Sequence, residues 1–144
     1  MDQIESARAR VEQANRLPAV IDAAYDAFEQ MLAVITCQQD RAGGAFAAFV
    51  MSGTAVANAR DALAAAPSLP RVFAGDLANK ASDSSGDQPM EDIAAVLANL
   101  SQLMSRRLTD ARDHVADAAD RLACAQAARH AAYVCSLLGG TPEP

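Results

Sequence analysis

From residue 90 to residue 138 the chain contains neither glycine nor proline, and its apolar residues recur at steps of three and four. That spacing predicts helix, since a half-buried strand needs a period of two and no such alternation occurs anywhere in the sequence. Pro89 stands near the start of the run, and Glu91 and Asp92 fall in its first turn, where carboxylates favour the positive end of the helix dipole. Gly139-Gly140 supplies a stop and Pro142 blocks continuation. The apolar stripe reads Ile93, Leu97, Leu100, Met104, Leu108, Ala111, Val115, Ala118, Leu122 and Ala125, with a four-residue shift at Leu108. One unbroken helix over 90–138 would be about 70 Å long at 1.5 Å per residue. Such a rod cannot bury its stripe alone and needs other helices beside it.

The first half of the chain supplies them. A heptad-like seam runs Ile4, Ala7, Val11, Ala14, Pro18, Ile21, Tyr25, Phe28, Leu32 and Ile35. It continues through Gln39, Ala42, Phe46, Phe49, Gly53, Val56, Arg60 and Leu63. Asp2 and Glu5 resemble a capping box at its start. Pro18 marks a break after Asn15-Arg16-Leu17, with proline in the first turn of the next helix. Gly43-Gly44 fits either a tight turn or a close-packing point inside one long helix; the heptad phase survives across it, which favours continuity. Residues 67–89 form a proline- and serine-rich connection, with a short helix near Pro70 carrying Phe73 and Leu77, then a polar loop over 82–89. The expected architecture is a single domain over 1–144, all-α. It is an elongated, antiparallel, coiled-coil-like bundle in which the 90–138 helix packs on two or three helices within 1–66, and 139–144 is a tail.

Composition narrows the function classes. Hydrophobic residues make up 51% of the chain and aromatics only 4%, with no tryptophan. Alanine supplies much of that share, and alanine favours closely packed helices over a thick core. The net charge of −6 argues against a nucleic-acid partner, which requires a basic face. Lys80 is the only lysine among 12 basic residues, an arginine bias that suggests a bacterial source with GC-rich coding. The N-terminus lacks the basic and apolar regions of a signal peptide. Cys37, Cys124 and Cys135 are odd in number and follow no metal spacing, so free thiols and a cytoplasmic location are expected. The uncharged stretch 42–59 approaches the length of a membrane span, but Gly43, Gly44, Ser52, Gly53, Thr54 and Asn58 dilute it, and no transmembrane segment is expected.

Candidate chemistry is sparse. On one continuous helix Asp110, His114 and Asp117 fall at i, i+4 and i+7, a spacing that places potential metal ligands on one face. The interspersed Arg106, Arg107, Arg112, Asp113, Asp120 and Arg121 read instead as a solvated, ion-paired surface, so no metal or cofactor is expected. His130 lies among small residues and reads as partly buried. The thiols read as packing residues. No phosphate loop, nucleophile elbow or zinc-protease motif is present, and no catalytic residue is assigned.

At Ala24-Tyr25-Asp26-Ala27-Phe28-Glu29-Gln30-Met31-Leu32, and again over Asp61-Ala62-Leu63-Ala64-Ala65-Ala66-Pro67, the chain resembles the phasins. The resemblance covers the first half and rests on alanine-rich amphipathic helices, scattered phenylalanines and a proline-marked turn. It implies a small helical protein that coats a hydrophobic polyester granule and self-associates through coiled coils. The three cysteines and the charge-laced last helix depart from that pattern.

The reading that follows is a non-catalytic interaction protein, binding itself, another helical protein or a hydrophobic granule surface. Phe46, Phe49, Val50 and Met51 form its expected contact surface, the alternative for the same residues being the core of a monomer. The alternative is a small-molecule- or metal-binding bundle, with possible enzymatic activity, built around Asp110, His114 and Cys37 or Cys124.

Overall fold

A computed structural model describes residues 2–14, 16–41, 43–67 and 90–139. Among these the chain is helical, with no strand. Five α-helices follow one another: α1 (Asp2–Gln13), α2 (Leu17–Gln38), α3 (Phe46–Ala64), α4 (Met90–His114) and α5 (Ala118–Leu137). The short helix expected near Pro70, the loop over 82–89 and the tail beyond Gly139 lie outside the described residues.

The break at Pro18 is where the sequence places it. Arg16 is extended (φ −126°, ψ 149°) and proline sits in the first turn of α2, where a missing N–H leaves no hydrogen bond unmade. α1 then lies back on α2 with Ile4, Ala7 and Val11 buried at steps of three and four. Arg10 ties the pair together, reaching Asp26 at 2.5 Å and Asp22 at 3.2 Å.

Gly43-Gly44 is a turn, so the expected continuity is corrected. α2 ends at Gln38 and passes through two single-turn 3-10 helices, Gln39–Arg41 and Gly43–Ala45, before α3 begins. Gly43 has φ +56°, a left-handed conformation that costs other L-residues about 1 kcal/mol or more. The heptad phase carries over because both helices bury apolar stripes. A stripe repeats at steps of three and four whether or not the chain reverses between its halves. α3 returns antiparallel along α2. Gly53 meets Ile35 so closely that a Cβ there would stand 3.3 Å from Cγ2, and Arg60 pairs with Glu29 at 3.2 Å.

The single helix expected over 90–138 is two helices. α4 stops at His114, and Asp117 caps α5: its side chain accepts hydrogen bonds from the backbone N–H groups of Ala119 (2.8 Å) and Asp120 (3.0 Å). Arg121 closes the corner by donating to the Val115 carbonyl at 2.9 Å. α5 folds back on α4, its end at Leu138 and Gly139 sharing a cleft with Glu91 and Ala95 near the start of α4. The reversal lets the two helices bury their stripes on each other. It also moves the phase: Leu122, placed on the buried stripe by the sequence pattern, is exposed, and Ala123, Cys124 and Ala127 are buried instead.

The start of α2 shares a cleft with the end of α4, so these two helices are also antiparallel. α3 and α4 therefore run in the same direction. α5 lies between α4 and α3 and contacts both. Its buried residues are mostly alanine and cysteine, small enough for two neighbours to approach closely. One core cluster joins all five helices, with Phe28, Phe49, Met31, Leu97 and Met104 among its fully buried side chains. Gly139, with φ +88°, follows the α5 C-cap, as the glycine stop signal predicts.

Candidate functional site

α3 packs on α2 with one face and on α5 with another, and its third face is open. The uncharged sequence of 42–59 means that this open face carries no charge until Asp61. Phe46, Val50, Thr54 and Asn58 follow one another at steps of four and all are exposed, with Met51 beside them. Phe46, Val50 and Met51 are 47%, 39% and 45% exposed, high for large apolar side chains. Thr54 turns its hydroxyl onto its own helix, donating to the Val50 carbonyl at 3.3 Å, which leaves its methyl group to the surface.

Phe49 is not part of this surface. It is wholly buried among the core residues, and its place on the expected contact face is corrected. At three residues from Phe46 it sits on the flank of α3 that turns inward.

α5 extends the open face. Val50, Met51, Thr54, Ala55 and Asn58 of α3 line a groove of about 340 Å³ with His130 and Tyr133 of α5. Tyr133 is 45% exposed, and Leu122, three turns earlier on α5, is 58% exposed. Sequence reasoning missed Tyr133. The pattern treated 90–138 as one rod and so could not tell which side of its second half looks outward. His130 is partly buried at the edge of this groove.

The Asp110–His114–Asp117 face does not exist as a unit. His114 is the last residue of α4, and Asp117 belongs to the next helix as its cap. Asp110 and His114 remain neighbours: the imidazole Nδ1 lies 2.7 Å from the Asp110 carbonyl and 3.7 Å from its carboxylate. The Asp110 carbonyl bond, reinforced by the Asp110 charge, pushes the His114 pKa above its ordinary value. Among the described residues no group of three or more His, Cys, Asp or Glu side chains is placed to hold a metal ion. The two residues do line a separate cleft, with Arg16 and Arg107.

All three thiols are free. Cys37 is exposed, whereas Cys124 and Cys135 are buried. Burial, with the Asp120 charge adding to it, pushes the Cys124 thiol up to about 11, and burial also raises Cys135. Thiols held protonated in this way are poor nucleophiles, which suits a packing role for both.

No helix among the described residues is long and apolar enough to cross a membrane. Comparison with protein-family models, with curated proteins and with solved structures gives no match to this chain.

Proposed function

We propose that this chain is a non-catalytic interaction protein whose binding surface is the open face of α3 together with the adjoining side of α5. One observation carries this reading: Phe46, Val50, Met51 and Tyr133 are exposed beside a groove with no Asp, Glu, Lys or Arg in its lining. Charged residues make up 21% of the whole chain, so water could have been met with charged side chains here as elsewhere. Exposed apolar patches of this kind mark places where a protein meets another apolar surface.

The spacing of Phe46, Val50, Thr54 and Asn58 suits a helix laid along the groove, with anchors at successive turns. The first partner to test is a second copy of the chain, because an uncharged face lets two acidic molecules meet without like charges opposed. The phasin resemblance suggests the other form of the same activity, in which this face lies on a hydrophobic granule.

Size-exclusion chromatography with light scattering, run at several concentrations on wild type and on a Val50→Glu/Met51→Glu variant, tests the reading. Adsorption to hydrophobic polyester particles is measured on the same two proteins. Concentration-dependent association or particle binding by the wild type, lost in a variant with an unchanged melting curve, is the expected result. A compact monomer at every concentration that also fails to adsorb would defeat the proposal.

A further inference from the structure

The cleft that Asp110 and His114 share lies away from the α3–α5 face, where the α1–α2 junction meets the end of α4. It measures about 370 Å³, within the range of about 300–1,000 Å³ that small-molecule sites occupy. Ala14, Val20 and Val115 give it a buried apolar floor, and Arg16, Arg107, Asp110 and His114 supply its polar rim.

The charge of that rim runs against the rest of the protein. Arg8, Arg10, Arg60 and Arg112 each lie within 3.2 Å of a carboxylate. Arg16 and Arg107 have no carboxylate partner among the described residues; Arg107 donates to the backbone carbonyl of Glu12. The nearby acidic side chains are committed elsewhere. Glu12 pairs with Arg8 at 3.0 Å, Asp113 with Arg112 at 3.1 Å, and Asp117 caps α5. Two arginines against Asp110 alone leave the rim with one net positive charge, and two when His114 is protonated, on a chain of net charge −6.

α2 opens at the same rim. Arg16 caps it without a side-chain hydrogen bond, and no acidic residue lies in its first turn, so the positive end of its dipole adds to the arginines. A guanidinium without a carboxylate is a strong partner for a phosphate or carboxylate, and binds it through paired N–H donors.

We infer that this cleft binds a small organic anion, with its phosphate or carboxylate at the Arg16–Arg107 rim and a compact apolar body on the Ala14–Val20–Val115 floor. The apolar floor selects against a bare hydrated ion, and the rim selects against a neutral molecule of the same shape. This site is separate from the α3–α5 face and stands whether or not that face binds a partner.

Calorimetric titration of the full chain with phenyl phosphate, inorganic phosphate and phenol tests the assignment, alongside amide chemical-shift mapping. Saturable binding of phenyl phosphate, tighter than either fragment and shifting the amides of Val20, Arg107 and Val115, is expected. Arg16→Glu should weaken that binding at least tenfold with an unchanged melting curve, because Arg16 is exposed and makes no ion pair among the described residues. Arg129→Glu, an exposed position on α5 outside the cleft, should leave it unchanged. No saturable binding would overturn the inference. So would equal losses in the two variants, or inorganic phosphate binding as tightly as phenyl phosphate, which would mean an adventitious ion only.

Discussion

Phe46 and Phe49 stand one turn apart on α3, yet Phe46 is 47% exposed and Phe49 is wholly buried. Two identical side chains on one helix therefore have different work to do. Phe49→Ala should lower the unfolding free energy by about 3–5 kcal/mol, the usual cost of emptying a buried phenylalanine site. Phe46→Ala should change it by less than about 1 kcal/mol in dilute solution while weakening whatever meets the open face. Urea denaturation of both variants measures the difference, and similar losses would place both rings in the core.

Asp117 is a cap. Replacing it with alanine removes two hydrogen bonds to the start of α5 and should cost about 0.5–2 kcal/mol. Asp117→Asn and Asp117→Ser, which also cap, should recover most of that loss. Thermal melts of the three variants decide it. A loss that only a carboxylate restores would point to a role for its charge beyond the cap.

Gly43 and Gly44 are adjacent and have open space where a Cβ would stand, but only Gly43 has positive φ. Gly43→Ala should therefore destabilise by about 1 kcal/mol or more, from backbone strain alone. Gly44→Ala should stay within about 0.5 kcal/mol of wild type. Equal effects in denaturant titrations would show that the turn does not depend on the left-handed residue.

Asp26 makes stability depend on pH in a direction opposite to that expected of a favourable ion pair. Burial raises its pKa above the ordinary 3.8, and the nearby Arg10 charge only partly offsets this. A carboxyl whose folded pKa is raised takes up its proton in the native chain first, so its contribution to stability improves as pH falls towards 3.8. Between about pH 7 and about pH 4 the wild type should gain stability relative to Asp26→Asn. A relative loss over that window would mean that the attraction of Arg10 outweighs burial.

The thiols should separate into one and two. At about pH 8 a thiol with its pKa near 11 is ionised to only about one part in a thousand. Cys37, which is exposed, should react promptly with a disulfide reagent, and Cys124 and Cys135 only on unfolding. Prompt reaction of Cys124 in the native protein would require an opening of the packing around α5.

Much of the fold was legible because its signals are local. Proline in the first turn of α2 leaves no hydrogen bond unmade, and the buried steps Ile4–Ala7–Val11 and Ile93–Leu97–Leu100–Met104 follow the helical period directly. The missing charges of 42–59 were legible too, but they fit a buried face as well as an open one, and spacing alone could not separate exposed Phe46 from buried Phe49. The break after His114 was harder. Asp117 starts a new helix without glycine or proline, by offering its carboxylate to backbone N–H groups that an uninterrupted helix would satisfy internally, and that competition is nearly balanced in isolation.

The amino-acid sequence by itself determined that this chain is helical, where its first proline begins a new helix, and which stripes seek burial. Those follow from backbone propensity and from a period of about 3.6, which depend only on near neighbours. Only the tertiary structure decided that the chain reverses at Gly43 and at Asp117, that Leu122 and Tyr133 face out, and that Arg16 meets Arg107 across one cleft. A continuous rod and a hairpin can share the same local pattern, and what separates them is the apolar surface that reversal buries between distant segments.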